Sequence, residues 1–383
     1  TTAPLLAHKD RDPAVVLMDP SGRHVIPLLG GHAGGGEALA TDLAALLEAT
    51  LVRTGGSGDE GRLALDSFGG SWGWRRGSGD WSVLMQRAAR GNAPITVHQA
   101  AGSALWQGLE ATDASGLAVD AAASGRLAGH LSPSPDLWIG PETGPDDGTC
   151  RWHPPCLWLG LGCERHTSLA LLRSLVHDTL ERHQLAADAV AGLASVDRKG
   201  DEPALLALAA EAHWPLKLFS APDLACQPVP NPSEAVAREM GTASVAEAAA
   251  LLAAGAGGRL LVPKTIVHAR GPGEQGAATL AVAQMQGQWS PARGELHLVG
   301  SGPGALELLS GDARSALAHC SVWVGYGLYL DLLEPLRRPD QRRIEGRLTE
   351  ERERCRQALA LAGQGIAVAL VSSGDSGIYG MAG

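Results

Sequence analysis

Two short apolar runs near the end of the chain stop directly in glycine-rich loops, and this narrows the fold more than any other feature. His297-Leu298-Val299 leads into Gly300-Ser301-Gly302-Pro303-Gly304, and Ile366-Ala367-Val368-Ala369-Leu370-Val371 leads into Ser372-Ser373-Gly374-Asp375-Ser376-Gly377. Between them Val322-Trp323-Val324 ends in Gly325-Tyr326. Runs of this kind read as buried strands. In a parallel sheet covered by helices on both faces, only the crevice at the strand carboxyl ends stays open to a ligand. Glycine lets the backbone touch that ligand because no Cβ stands in the way. The three loops are therefore expected to form a small-molecule cradle.

The same order of strand, glycine loop and helix occurs upstream. Residues 14–18 and 24–29 read as strands joined by the turn Asp19-Pro20-Ser21-Gly22, followed by Gly30-Gly31-His32-Ala33-Gly34-Gly35-Gly36 and an amphipathic helix over 37–49. A strand over 156–162 enters Cys163-Glu164-Arg165-His166. The spacing then predicts helices over 169–183, 203–212, 234–240 and 245–254, alternating with strands at 190–196, 216–219 and 260–263. Such alternation means a parallel α/β sheet. From about 55 to 150 the pattern weakens and Trp72, Trp74, Arg75, Arg76 and Trp81 cluster among glycine, serine and proline. The expected architecture is multidomain α/β: parallel-sheet units at 1–60, 151–284 and 295–383, an irregular middle module at 61–150, and a linker at 285–294.

With 383 residues and 45% hydrophobic side chains the chain is long enough for two or three cores. No apolar run approaches the ~20 residues that cross a bilayer, and no secretory segment opens the chain, so a soluble, cytoplasmic protein without a membrane partner is expected. The six cysteines form no CxxC pair, which fits reduced thiols. A net charge of −10 argues against nucleic acid as the main partner, because phosphate neutralisation needs a basic footprint. The chain opens on Thr1-Thr2-Ala3 and stops just past a ligand-type loop, so it is expected to hold only the first half of its last domain.

Several motifs compete for a functional role. Gly300, Gly302 and Ala305 satisfy G-x-G-x-x-[GA], but Pro303 sits where the phosphate-binding helix should begin, and the next strand ends in Gly325-Tyr326 where a ribose-binding acid is required. Pro263 precedes Lys264-Thr265 where a P-loop needs glycine. Gly69-Gly70-Ser71-Trp72-Gly73 spells a nucleophile elbow without the flanking strand and helix, and reads as a glycine-rich loop. His153-x-x-Cys156 and Cys163-x-x-His166 are too close in sequence, and separated by too rigid a strand, for a structural zinc module; no metal site is expected. Cys163 reads as a small core residue rather than a reactive thiol. Asp201-Glu202 before Pro203 reads as a helix start, where carboxylates favour the dipole. His32 has two readings: a turn histidine bonded to backbone, or a proton carrier near neutral pH. Arg337-Arg338, Arg342-Arg343 and Arg347 read as a solvated basic loop, with attraction of a polycarboxylate as the alternative.

The three carboxyl-terminal motifs, in the order 297–309, 324–330 and 369–382, resemble the amino-terminal half of the precorrin-3B C(17)-methyltransferases, tetrapyrrole methylases that use S-adenosylmethionine. Ser376 stands where that family usually has proline. Upstream, Asp12-Pro13-Ala14-Val15-Val16 and Val25-Ile26-Pro27-Leu28-Leu29-Gly30-Gly31-His32-Ala33-Gly34-Gly35 resemble the first domain of the CbiG family of cobalt-precorrin-5A hydrolases. Gly160-Leu161-Gly162-Cys163, Ser195-Val196-Asp197-x-Lys199-x-Asp201-Glu202-Pro203, Val229-Pro230-Asn231-Pro232-Ser233-Glu234 and Leu261-Val262-Pro263-Lys264 resemble its last.

These resemblances imply two reactions on the corrin ring. One is hydrolysis of the ring-A lactone of cobalt-precorrin-5A with release of acetaldehyde, for which His32 is the expected base. The other is methylation at C17 coupled to ring contraction. Expected cofactor contacts are Gly300, Gly302, Pro303, Gly304, Tyr326, Ser373, Gly374, Asp375 and Gly377. Expected substrate contacts are Gly31, Gly34, Gly35, Cys163, Asp201, Glu202, Asn231 and Ser233. The implied cofactor is S-adenosyl-L-methionine, and the implied partners are a corrinoid tetrapyrrole intermediate and further copies of the chain. The alternatives are a non-catalytic tetrapyrrole-binding module that hands substrate on, and a nucleotide-dependent oxidoreductase that the loops do not support.

Overall fold

The computed structural model describes residues 13–29, 36–52, 61–91, 93–120, 135–232, 242–375 and 377. Each successive stretch of chain builds its own sheet. In the first, β1 (Val15–Met18) and β2 (His24–Leu29) pair antiparallel. Their turn is closed by the Asp19 carboxylate, which accepts the Arg23 and His24 backbone N–H groups at 2.7 Å each. Helix α1 (Gly36–Leu47) lays Ala40 and Ala44 on Val25, and β3 (Thr50–Leu51) adds parallel to β2.

Residues 61–150, which read as irregular in the sequence, hold a five-stranded sheet. It contains β4 (Arg75–Arg76), helix α2 (Trp81–Arg90), β5 (Ile95–Gln99), β6 (Leu117–Asp120), β7 (Leu137–Ile139) and β8 (Cys150–His153). The strand order is β4-β8-β7-β5-β6, parallel except at β4. Its strands have two to five residues, too few for a period to show. Aromatic volume supplies the core instead: Phe68 meets Trp74 and Trp152 edge-on at 5.7 and 5.9 Å, and Trp81 meets Trp152 at 5.4 Å. Gly69-Gly70-Ser71 lies in a single helical turn over Phe68–Ser71, not in a strand-to-helix elbow.

The third sheet runs β9 (Leu157–Cys163), helix α3 (Leu169–Arg182), β10 (Val190–Val196), helix α4 (Pro203–Glu211), β11 (Leu216–Phe219), helix α5 (Val245–Ala254), β12 (Arg259–His268) and β13 (Ala277–Gln284). The order is β11-β10-β9-β13-β12; β9, β10 and β11 are parallel, and β13 returns antiparallel to both neighbours. The strand expected at 260–263 is thus the first part of a ten-residue hairpin arm. Alternation along β9 sorts its faces. Leu157, Leu159 and Leu161 pack under α3 and α4, while Trp158 faces the alanine-rich α5. Gly160 lies on the α5 side, where an added Cβ would come within 1.9 Å of Ala246 O. Helix α5 rides on the bare backbone of β9.

The last sheet contains β14 (Glu295–Gly300), helix α6 (Gly311–His319), β15 (Val322–Tyr326), helix α7 (Gly327–Leu333), β16 (Arg342–Gly346), helix α8 (Glu351–Gly363) and β17 (Ala367–Ser372). It is fully parallel with order β14-β17-β15-β16. Helices α6 and α7 cover one face around Trp323. The other face, with Val322, Val324, Val368 and Leu370, joins α8 and the tryptophans of the middle module in a single core. Gln288, in the expected linker, is 2% exposed and ties these parts together. Its Oε1 accepts Trp74 Nε1–H and Ser103 N–H, and its Nε2 donates to Trp72 O and Gln364 O. Strand β16 was not expected: its Arg342-Arg343 belonged to a run read as a solvated loop. The arginines are instead engaged within the fold, Arg343 with Asp331, Glu334 and Glu345, and Arg337 with Glu110 and Glu334.

Candidate functional site

Two candidate sites lie at strand carboxyl ends. In the last sheet, β14, β15 and β17 deliver Gly300, Tyr326 and Ser372 to the same edge. Beyond them the two glycine loops meet: Gly302 N–H donates to Gly374 O at 3.1 Å and Gly374 N–H to Gly302 O at 3.3 Å. Both residues are left-handed, with φ of +62° and +59°, a conformation that favours glycine. An added Cβ at Gly374 would meet nothing within 4 Å, and at Gly302 only Leu308 O at 3.8 Å. The bridge therefore presents bare backbone to open space. Pro303, Ser373, Asp375 and Gly377 are exposed around it, and Gly304 is half-buried. Asp375 Oδ1 is occupied by Gly377 N–H at 2.7 Å, which fixes the end of the second loop. Tyr326 packs edge-on against Tyr329 at 5.4 Å. It opens onto a cleft of about 550 Å³ lined also by Leu328, Asp331, Glu345, Arg347 and Glu350. The nine positions expected from the sequence to contact a cofactor thus lie on one strand edge and its loops.

The second site lies at the carboxyl ends of β9 and β10. Arg165 Nη1 reaches Asp201 Oδ1 at 2.5 Å and Glu202 Oε2 at 3.7 Å, and Nη2 donates to Arg198 O at 2.8 Å. The Arg165 hydrogen bond holds the Asp201 carboxyl below its ordinary range. Glu202 is 1% exposed. Its carboxylate caps no helix, despite preceding Pro203; it accepts His166 N–H at 3.0 Å, with His166 in the left-handed region at φ +60°. Burial pushes the Cys163 thiol up, with Lys199 and Arg165 opposing and Glu202 adding, so it stays protonated at neutral pH. The structure brings Cys163, Asp201 and Glu202 together.

Asn231 is held separately by Glu247, which is fully buried. Glu247 accepts Asn231 N–H at 3.2 Å, Asn231 Nδ2–H at 2.8 Å and Lys264 N–H at 3.0 Å, while Lys264 Nζ donates to Asn231 O at 2.5 Å. Sequence reasoning passed over Glu247 and Arg165. The signal for Glu247 was present: Ser244-x-x-Glu247 spells a capping box, and Ser244 Oγ does accept Glu247 N–H at 3.4 Å. Its carboxylate has been diverted to the neighbouring loop and strand. Gly31, His32, Gly34, Gly35 and Ser233 lie outside the described residues.

Comparison with known proteins follows the same division. Residues 1–58 match the family described as Cobalamin synthesis G N-terminal, residues 157–283 the Cobalamin synthesis G C-terminus, and residues 295–383 the Tetrapyrrole (Corrin/Porphyrin) Methylases. A cobalt-precorrin-5A hydrolase of Priestia megaterium is 30% identical over 267 residues, covering 68% of this chain and 71% of the relative. A cobalt-factor III methyltransferase of the same organism is 40% identical over 91 residues, which are 24% of this chain and 17% of that protein. A precorrin-3B C(17)-methyltransferase of Sinorhizobium sp. is 39% identical over 89 residues, 23% of this chain and 34% of that protein. The chain therefore spans about a third or less of these methyltransferases. Among the described residues no helix is long and apolar enough to cross a membrane.

Proposed function

Because the chain belongs to the cobalt-precorrin-5A hydrolase family of cobalamin biosynthesis, we propose that its CbiG-like domains open the ring-A lactone of cobalt-precorrin-5A and release acetaldehyde. The observation that carries this reading is the cluster of Arg165, Asp201, Glu202 and Cys163 at the strand ends of the family-matched domain. Arg165, half-exposed on that edge, offers positive charge to the peripheral carboxylates of a corrinoid, and the buried Glu202 and Glu247 hold the backbone of His166 and of Asn231 and Lys264 in place. His32 is assigned as the base. It takes a proton from water as the water oxygen bonds to the lactone carbonyl carbon, and glycine-loop amides receive the developing oxyanion. The ring C–O bond then breaks, leaving a carboxylate and a hydroxyl. Loss of the hydroxyl proton, with cleavage of the carbon–carbon bond that joins the two-carbon fragment at the meso position to the macrocycle, frees acetaldehyde, and the ring carbon left behind takes up a proton.

We further assign the bridged loops of the methylase domain to S-adenosylmethionine, which when bound supplies an electrophilic methyl group. The open space beside Gly302 and Gly374 fits a ligand lying against backbone. The work of these residues is positional: they hold the cofactor beside the cleft at Tyr326, where a corrinoid ring carbon can be aligned with it.

The test is acetaldehyde release from cobalt-precorrin-5A by the purified chain. His32→Ala is expected to lower the rate by roughly 100-fold or more with substrate binding kept. An unchanged rate would return His32 to the role of a turn residue. Corrinoid binding without any acetaldehyde from the unmodified chain would favour a carrier.

A further inference from the structure

Glu295, His297 and His319 bring three potential metal-ligand atoms to one point, at the end of the last sheet opposite the glycine loops. Glu295 and His297 are the first and third residues of β14, so both side chains leave the same face. That face is covered by α6, and His319 is the last residue of α6. Glu295 Oε2 lies 3.0 Å from Nε2 of His297 and 3.0 Å from Nε2 of His319. All three atoms fall within 4.8 Å of one another. The rings meet at 69° with centroids 5.7 Å apart, so the nitrogens converge on the carboxylate rather than stack.

A four-coordinate ion with bonds of about 2.0–2.2 Å needs ligand atoms roughly 3.3–3.6 Å apart, so small rotations of these side chains would seat one. Two imidazoles and one carboxylate suit a borderline cation, not Ca²⁺ or Mg²⁺, which prefer all-oxygen sets. The side chains are about one-third to one-half exposed, leaving the remaining coordination positions to water. The cluster of His177, Asp178 and Glu181 offers less: it sits on a single turn of α3, its side chains face solvent, and His177 Nε2 lies 3.7 Å from Glu181 Oε2.

We propose that Glu295, His297 and His319 form a binding site for a divalent first-row transition ion, with Zn²⁺ as its typical occupant, which fastens the carboxyl end of α6 to the edge strand β14. Because α6 also packs against α1, the ion would brace the junction between the first and last domains.

The experiment is calorimetric titration of the full chain with Zn²⁺, alongside melting curves with and without the ion and Co²⁺ absorption spectra. The expected result is one Zn²⁺ per chain, a higher melting temperature with the ion, and visible Co²⁺ bands of a four- or five-coordinate imidazole site. The double variant His297→Ala with His319→Ala should lose roughly 100-fold or more of the affinity and the melting rise, whereas His177→Ala should keep both. The proposal is overturned if the unmodified chain binds no Zn²⁺ or gives no Co²⁺ bands. It is also overturned if the double variant binds and melts as the unmodified chain does. These side chains are partly exposed, so the variant is expected to fold, and the Co²⁺ spectrum of the unmodified chain decides the matter if it does not.

Discussion

Gly160→Ala tests the packing on which the hydrolase-like domain depends. The new Cβ would sit 1.9 Å from Ala246 O and 2.8 Å from Ala250 N, both backbone atoms of α5. Contacts under 3.0 Å essentially never occur, so α5 must retreat from β9 by about an ångström or more. Overpacking costs about 1–3 kcal/mol where side chains can yield. Here the obstacle is a helix backbone, so about 3 kcal/mol or more is expected. Gly162→Ala on the same strand is the matched control. Its Cβ would meet the Thr279 hydroxyl at 2.7 Å, a group that can turn away with loss of a 3.3 Å bond to Gly162 O, worth about 1 kcal/mol. Urea unfolding should show a clearly lower midpoint for Gly160→Ala at unchanged slope, and the melting temperature should fall by on the order of 10 °C. Displacing α5 also displaces Glu247, so the anchorage of Asn231 and Lys264 should loosen and corrinoid binding weaken. If the two variants melt within about 2 °C of each other, the helix does not depend on the missing side chain, and the packing argument fails.

Two further outcomes follow from the glycine bridge and the first hairpin. Gly374→Val should abolish S-adenosylmethionine binding by equilibrium dialysis in a protein carrying the complete methylase, while costing only about 1–3 kcal/mol of backbone strain. Gly116→Val, with the same open surroundings and a φ of +61° in the middle module, should carry the same strain and leave binding intact; equal loss in both variants would mean that strain, not ligand exclusion, is responsible. The Asp19 carboxyl is held down at about 2 from 3.8, first by the Ser21 hydroxyl and then by backbone N–H groups. Its contribution to the hairpin is therefore complete above the ordinary value and is lost as pH falls toward about 2. Amide shifts of β1 and β2 should move over that interval, and Asp19→Asn should remove the transition; a titration near 3.8 would contradict the assigned hydrogen bonds.

The fully parallel last sheet was legible because its buried runs lead into glycine loops, two of which meet at Gly302 and Gly374, whereas the first unit, expected to be parallel, opens on an antiparallel hairpin and the third sheet adds an antiparallel pair. The middle sheet was not legible. Strands such as Arg75–Arg76 and Leu137–Ile139 are shorter than any period, and their order depends on tryptophans far apart in sequence. Strand β16 was hidden by its arginines, whose charge reads as solvent exposure until the partners Asp331, Glu334 and Glu345 are placed around Arg343. Asp201 and Glu202 were noticed as a helix start, but adjacent carboxylates can diverge. One is exposed beside Arg165 and the other is buried beneath His166, a distinction that only the tertiary fold makes.

The core shared by the tryptophan module and the last sheet bears on how the chain is made. Residues 61–153 leave the ribosome with one apolar side lacking its cover, because Val322, Val324, Val368 and Leu370 are translated about two hundred residues later. At ordinary elongation rates that interval is on the order of 10–40 s. During it Trp74, Trp106 and their neighbours are candidates for holdase chaperones and for wrong pairing with another nascent copy. A gene split near residue 290 would give two polypeptides that each carry an apolar wall until they find one another. Carrying the hydrolase-like and methylase-like domains on one chain thus keeps the cover of the middle module within reach of the surface that needs it.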